Sequence, residues 1–510
     1  MNINWNELQN GSDIRGIALP GIEGEDVNLT PDVVKTISKA FATWLCSEKG
    51  TSLEKLKIGV GCDSRLTGTE LSAACFNGLN EVGIKAFDCG LASTPAMFMS
   101  TIFPEMMYDG AIMLTASHLP YNRNGLKFFT NKGGLDKSDI SQILNLCAEG
   151  NFPSYKVTNH ILKVDLLDRY SAFLIESIRK GVNNTENYNK PLLGFHIVVD
   201  AGNGSGGFFA EKVLVPLGAD ISGSQFLNPD GNFPNHIPNP EDKTAMASIC
   251  SAVKSNNADL GIIFDTDVDR SAAVDKWGNE INRNKLIGLI SSIILEEHPG
   301  TAIVTDSITS DGLTEFIEQQ LKGKHHRYKR GYKNVINEAI RLNQMGEECW
   351  CAIETSGHAA LKENRFLDDG AFLITKILIK AAQLKRVEQT IDTITEKLKL
   401  PYESEEFRIK VKTADFKDYG NLIIKDLESF VSKIEGWSVV PNNYEGIRVS
   451  CAQNAGNGWF LLRLSLHDPV IPLNIESVEE GGVGFIASKL AIFAASYEML
   501  DISTINNYIN

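Results

Sequence analysis

What most constrains this chain is a repeated change of hydrophobic period. Short β-rich runs alternate with helical patterns from about residue 30 to residue 390: KIGVGCD, AIMLTA, GFHIVVDAG, DLGIIFD, TAIVTD and WCAIE, each ending in small or polar residues. Strands that alternate with helices predict an α/β fold with layered, largely parallel sheets. In such folds ligands sit beyond the carboxyl ends of the strands, which is where TASH, DAGNGSGG, DTDVDR and ETSGH fall.

A single core stops growing at about 250 to 300 residues, so a chain of 510 residues must divide. Proline and polar residues interrupt the periodicity near 151 to 158, near 280 and near 399 to 404. We therefore expect α/β domains over 1–155, 156–280 and 281–398. After residue 400 the runs FRIKVKT, WSVVPN, GIRVSC, GWFLLRLSL and PLNIESV, with helical patterns at LIIKDLESFVSKI and FIASKLAIFAASYEML, predict a smaller α+β unit over 399–510.

Several classes of partner are disfavoured. A net charge of −15 argues against nucleic acid, whose phosphates are held by basic surfaces, but leaves room for a small phosphorylated substrate in a local cationic pocket. The longest apolar stretches, such as LIGLISSIIL at 286–295, fall short of the roughly 20 residues that cross a bilayer. The N-terminus shows no basic region followed by an apolar one, so a cytoplasmic location is expected. Nine scattered cysteines make a poor disulfide framework, and Cys349 and Cys351 lack a second close pair for zinc.

The strongest chemical signal is DLGIIFDTDVDRSAAVD. On an extended segment Asp265, Asp267 and Asp269 would face one way, and three anions so close need a cation. An EF-hand loop requires Gly at its sixth position and Glu at its twelfth, where this chain has Arg270 and Lys276. Hard oxygen donors then favour Mg²⁺, against the plain alternative of a solvated acidic turn. The glycines of DAGNGSGG match G-x-G-x-x-G, with Asp220 as a rough acidic partner for a dinucleotide, yet a tight strand-to-helix turn accounts for them better. Ser117 suits a helix cap, but Pro120, Asn122 and the Asn124–Gly125 pair predict a turn. His118 taken alone suits a hydrogen-bonding residue.

These stretches together resemble the α-D-phosphohexomutase family. Its T-A-S-H-N-P signature with a downstream N-G-x-K matches Thr115 to Lys127, with Leu119 in place of Asn. D-x-D-x-D-R matches Asp265 to Arg270, and G-E-x-S-G-H matches Glu354, Ser356 and His358, with Ile353 for the leading Gly. SDIRG with Arg15, the D-x-R of GCDSR, the loop FPNHIPNPE and GYK ending in Lys333 extend the likeness over nearly the whole chain. The departure is the fourth-domain loop: the family's R-P-S-G-T-E-P is here Arg463, Leu464, Ser465, Leu466, His467, Asp468, Pro469.

The resemblance implies three similar α/β domains with mixed sheets and a smaller C-terminal α+β domain around a central cleft. It implies that Ser117 is a phosphoserine that also ligates Mg²⁺, beside Asp265, Asp267 and Asp269. Arg270 would neutralise a phosphoryl oxygen, and Lys127, with His118 and His358 nearby, would carry protons. Arg15, Lys333, Glu354, Ser356 and His358 would bind substrate, and Arg463, Ser465 and His467 the distal phosphate. The implied activity moves phosphate between O1 and O6 of a mannose or glucose phosphate through a hexose 1,6-bisphosphate, in a monomer or homodimer. Glucosamine phosphate, a degenerate sugar-phosphate-binding paralogue and a nucleotide-dependent dehydrogenase are the competing readings.

Overall fold

The computed structural model describes residues 3–155, 161–465 and 468–509. They form two compact units, one of residues 1–286 with 356–393 and the other of 287–355 with 394–510. The division cuts through the segment 281–398, which the sequence presents as one stretch.

In the first unit an eight-stranded sheet runs in the order Gln9–Asn10, Asp13–Ile17, Arg123–Thr130, Gly110–Leu114, Lys57–Cys62, Lys85–Leu91, Ile161–Lys163, with Gly133–Gly134 paired to Arg123–Thr130. Lys57–Cys62 lies parallel to both its neighbours, whereas Gly110–Leu114 and Arg123–Thr130 are antiparallel, so the sheet is mixed. Every residue of Gly110–Leu114 is buried, as expected of a strand covered on both faces. Helix Pro31–Lys49 starts with Thr30 as cap and Pro at its first turn and stops at Gly50, whose φ of 58° serves the left-handed C-cap.

A second sheet orders Glu280–Ile281, Ser271–Asp275, Leu260–Phe264 and Ile197–Asp200. Leu260–Phe264 is parallel to Ile197–Asp200 but antiparallel to Ser271–Asp275. The chain must therefore reverse direction across 265–270, the acidic stretch. Short strands Ala359–Leu361 and Leu367–Asp368 and the largely buried helix Gly370–Lys385 also belong to this unit.

The second unit pairs Ala302–Thr305 in parallel with Lys324–Arg327 and Cys349–Ile353. Its C-terminal part is a six-stranded sheet, Trp437–Val439, Ile447–Cys451, Gly458–Leu462, Val470–Ser477, Glu403–Val411, Leu500–Asp501, whose pairings are antiparallel. Helices Phe416–Val431 and Gly482–Ala494 pack their apolar residues, among them Leu427, Ile486 and Leu490, into one core with this sheet. The α+β expectation holds: the sheet is antiparallel with helices packed into its core, and Glu403–Val411 alternates in burial where Leu260–Phe264 is buried throughout. Among the described residues no helix is long and apolar enough to cross a membrane, and all nine cysteines are free thiols.

Candidate active site

The first unit gathers most of the chemistry. Residues 115–122 connect Gly110–Leu114 to its antiparallel neighbour, and Ser117 sits in that connection with φ 49°, in the left-handed region that side chains seldom adopt. It caps no helix, so the turn expectation holds. The Ser117 amide donates to Thr115 Oγ1 at 2.9 Å. Ser117 Oγ donates to Asp265 Oδ2 at 2.8 Å and accepts from Arg270 Nη2 at 3.1 Å. The serine oxygen thus lies between a carboxylate and a guanidinium, 148 and 153 residues away in sequence.

The acidic stretch differs from the expected extended segment. It is a turn, closed by the Asp265 amide donating to the Arg270 carbonyl at 3.2 Å, with Val268 at φ 67°. The antiparallel partner strand forces that reversal, yet carboxylate oxygens of Asp265, Asp267 and Asp269 still lie within 4.8 Å of one another, all buried. The glycines before it serve packing. A Cβ at Gly204 would fall 2.7 Å from the Thr266 carbonyl oxygen, and one at Gly207 2.1 Å from that of Leu227. Asp220 accepts from the Ser222 amide at 2.9 Å, which suits a local turn.

Lys127 balances this charge. Its ammonium donates to Asp267 Oδ2 at 3.1 Å and contacts Asp269 Oδ2. Burial opposes its charge, but the two aspartates outweigh burial and hold its pKa well above the ordinary lysine value. Burial and the neighbouring Asp269 and Asp267 push the Asp265 carboxyl well up. Asp269 goes the other way: burial raises it, but Lys127, His358 and Arg270 together lower it. Asp267 Oδ2 also accepts from Thr94 Oγ1 at 2.5 Å. Asp267 Oδ1 and Asp269 Oδ1 are buried without a hydrogen-bond partner among the described residues. Converging hard oxygens, two of them unsatisfied, fit a divalent cation.

Two histidines border the cluster in different states. Arg270 Nη2 lies 2.5 Å from His118 Nδ1; a guanidinium can only donate, so this nitrogen accepts. Desolvation and the Arg270 charge hold the His118 pKa low, so the ring is neutral. His358 pairs through Nδ1 with Asp368 Oδ2 at 2.5 Å. Burial works against its charge, but Asp368 and Asp269 prevail and raise its pKa to about 9. Arg270 and His358 also form an antiparallel backbone bridge. Arg15 donates to the Thr115 carbonyl and pairs with Asp13 at 2.8 Å. Buried Ser356 begins the segment that leads to His358.

The second unit holds the other predicted residues. Glu354 follows strand Cys349–Ile353 and accepts from the Gly331 amide at 2.6 Å, which ties it to the turn carrying Lys333 at the start of helix Tyr332–Gln344. Glu445 accepts from Ser307 Oγ at 2.5 Å and from the Arg330 amide at 3.1 Å, and lies 3.9 Å from Arg463 Nη1. Burial lowers the Arg463 pKa against the pull of Glu445. Ser465 Oγ accepts from the Asp468 amide at 3.2 Å. Leu466 and His467 lie outside the described residues, and with them the expected phosphate contact of His467.

Sequence reasoning passed over Thr94, Asp368 and Glu445. Only the acidic pair of LDDG, whose first residue stands ten positions beyond His358, offered a sequence signal for Asp368; Thr94 and Glu445 act across long separations that no local pattern records.

A serine oxygen lodged between a guanidinium and a carboxylate cluster that fits a divalent cation has the groups that phosphoryl transfer needs. Comparison narrows the class. Family models described as phosphoglucomutase/phosphomannomutase α/β/α domains I, II and III match residues 6–153, 170–278 and 282–399. The chain belongs to the phosphoglucomutase/phosphomannomutase, or α-D-phosphohexomutase, family. It is 29% identical over 451 residues to a phosphomannomutase/phosphoglucomutase of Pseudomonas syringae pv. tomato, covering 87% of this chain and 89% of that one. It is 26% identical to a phosphoglucomutase of Neisseria gonorrhoeae, covering 94% of each. Its fold is that of a phosphoglucomutase/phosphomannomutase family protein from Burkholderia thailandensis, with TM-score 0.77, 24% identity and coverage of 97% of this chain and 98% of the other.

Proposed function

We propose that this chain is a cytoplasmic phosphohexomutase that moves phosphate reversibly between O1 and O6 of mannose or glucose phosphate. The observation that carries this reading is Ser117 Oγ, held by Asp265 and Arg270 beside three converging aspartates. In the first half-reaction the bond from Ser117 Oγ to phosphorus breaks and one from phosphorus to a sugar hydroxyl forms, giving a hexose 1,6-bisphosphate. The bisphosphate then returns its other phosphate to Ser117.

Asp265, Asp267 and Asp269, with the phosphoryl group of Ser117, would hold the cation, Mg²⁺ by the hardness of its donors. When bound it neutralises charge on the transferring group. Arg270, within reach of Ser117 Oγ, neutralises another phosphoryl oxygen. Lys127 stays charged at neutral pH because its pKa is raised, so we assign it charge balance before proton transfer. We assign proton exchange with the sugar hydroxyl to His358, whose Nδ1 pairs with Asp368 and whose pKa, raised only to about 9, lets it release a proton more readily than Lys127. By resemblance Glu354 and Ser356 meet the sugar hydroxyls, and Arg15, Lys333, Arg463 and Ser465 meet phosphate.

A coupled mutase assay across hexose 1-phosphates, with catalytic hexose 1,6-bisphosphate and Mg²⁺, tests the proposal. Turnover of mannose or glucose 1-phosphate that depends on bisphosphate is the expected result. Turnover of glucosamine phosphate alone would reassign the substrate, and no turnover of any of them would refute the reading.

A further inference from the structure

Four backbone carbonyls of the Ser117 loop converge on one buried side chain. Arg65, 3% exposed, donates through Nη1 to the carbonyls of Pro120 and Arg123, both at 2.8 Å, and through Nη2 to those of Ser117 at 2.6 Å and Leu119 at 2.5 Å. Neutral carbonyls do not cancel a charge, and the guanidinium is anchored from behind. Asp63 Oδ1 accepts from the Arg65 amide at 2.9 Å, and Asp63 Oδ2 lies 3.6 Å from Arg65 Nε. The ring of Phe233 faces the guanidinium at 5.4 Å. The loop carrying Phe233 is packed tightly against this turn: a Cβ on Gly231 would fall 2.4 Å from the Leu66 nitrogen and 2.6 Å from the Ser64 carbonyl oxygen.

We infer that Arg65 is a positioning residue for phosphoryl transfer: its fork of donors holds Ser117 in the left-handed conformation in which Oγ meets Asp265 and Arg270. This inference rests on Ser117 being the phosphoryl carrier. A non-glycine residue at φ 49° relaxes unless its surroundings over-determine it. Ser117 is gripped on its carbonyl side by Arg65 and on its amide side by Thr115. Because the peptide is trans and planar, fixing the Ser117 carbonyl toward Arg65 turns the His118 N–H to the opposite side. Only a planar guanidinium spans four acceptors; an ammonium offers three donors from one point.

The test compares wild type, Arg65→Lys and Arg65→Ala. It measures kcat and KM for hexose 1-phosphate, thermal melting, phosphate on Ser117 by intact mass after incubation with hexose 1,6-bisphosphate, and activity of Arg65→Ala in added guanidinium chloride at millimolar concentration. We expect both variants to lose kcat by roughly 100-fold, as for a misplaced reacting group, with KM within about threefold. We expect slower Ser117 labelling, and partial rescue of Arg65→Ala by guanidinium but not by ammonium. If Arg65→Ala does not fold, Arg65→Lys decides. Wild-type kcat in Arg65→Lys, a loss that only tracks the unfolded fraction, or a change confined to KM would overturn the inference while wild type still carries phosphate on Ser117. Wild type that never carries it would overturn the functional reading, and this inference with it.

Discussion

Replacing Lys127 by Met removes a charge from the centre of the acidic cluster while keeping the length of the side chain. Lys127 is 5% exposed and its ammonium contacts both Asp267 and Asp269. Breaking a buried pair by removing one partner costs roughly 3 to 5 kcal/mol. Here Asp267 keeps its bond from Thr94 at 2.5 Å and Asp269 keeps Arg270 at 3.9 Å, so the lower end, about 3 kcal/mol, applies. At about 2 °C per kcal/mol for a unit of this size, melting in excess chelator should fall by about 6 °C. A divalent cation takes over the neutralisation, and at a hundredfold excess over Kd it returns about 2.7 kcal/mol. Scanning fluorimetry of wild type and Lys127→Met, with chelator and with saturating Mg²⁺, should therefore show a larger Mg²⁺ shift in the variant. The sign with pH follows from the raised lysine pKa: the stabilisation is complete below the ordinary lysine value of 10.5 and is lost only as pH rises through the higher folded value, so the gap should stay flat from about pH 6 to pH 9. Equal melting of both proteins in chelator, or an identical Mg²⁺ shift, would refute the charge-balance reasoning.

Ser117→Ala should carry no phosphate after incubation with hexose 1,6-bisphosphate and lose nearly all mutase activity, as read by intact mass and the coupled assay. Arg463→Ala should weaken substrate binding roughly ten- to a hundredfold, the equivalent of a charge-assisted contact of about 1.5 to 3 kcal/mol, seen as a raised KM. Asp267→Asn should abolish Mg²⁺-dependent activity while costing less stability than Lys127→Met, because the amide still accepts from Thr94 and relieves repulsion; melting and activity in one buffer compare them. Glu476 is raised from 4.5 to about 7 by burial, against the pull of Arg448 and the bond from Trp459. Its folded form favours the proton, so stability should decline as pH rises from about 4.5 to 7, by about 3 kcal/mol at most. Glu476→Gln, which can still accept from Trp459 Nε1, should flatten that decline in melting curves at pH 5 and pH 8.

Much of the fold was legible because burial on both faces of a sheet leaves continuous apolar runs, as in GAIML at 110–114 and LGIIF at 260–264. The change to alternating burial in Glu403–Val411 marked the C-terminal α+β part equally well. The grouping into two units was not legible. The chain leaves one compact unit after Leu286 and returns to it at Ser356, and Pro and Gly punctuation marks local breaks, not returns.

At the site, local sequence determined residue types and spacing: a serine in a turn-forming loop, three alternating aspartates and the Arg that follows them. It did not determine their conformation, since alternation suited a strand while the antiparallel partner imposed a turn. Nor did it determine charge states. Lys127 and His358 are raised, and His118 is lowered, by groups 10 to 152 residues distant in sequence. Thr94 on Asp267 came only from the tertiary structure, and so did the place of Arg65 beneath Ser117, although the D-x-R of GCDSR had marked that residue. Motif spacing records which groups the chemistry needs. Hydrogen-bond geometry and burial, which set orientation and proton affinity, depend on segments that meet only once the chain has folded.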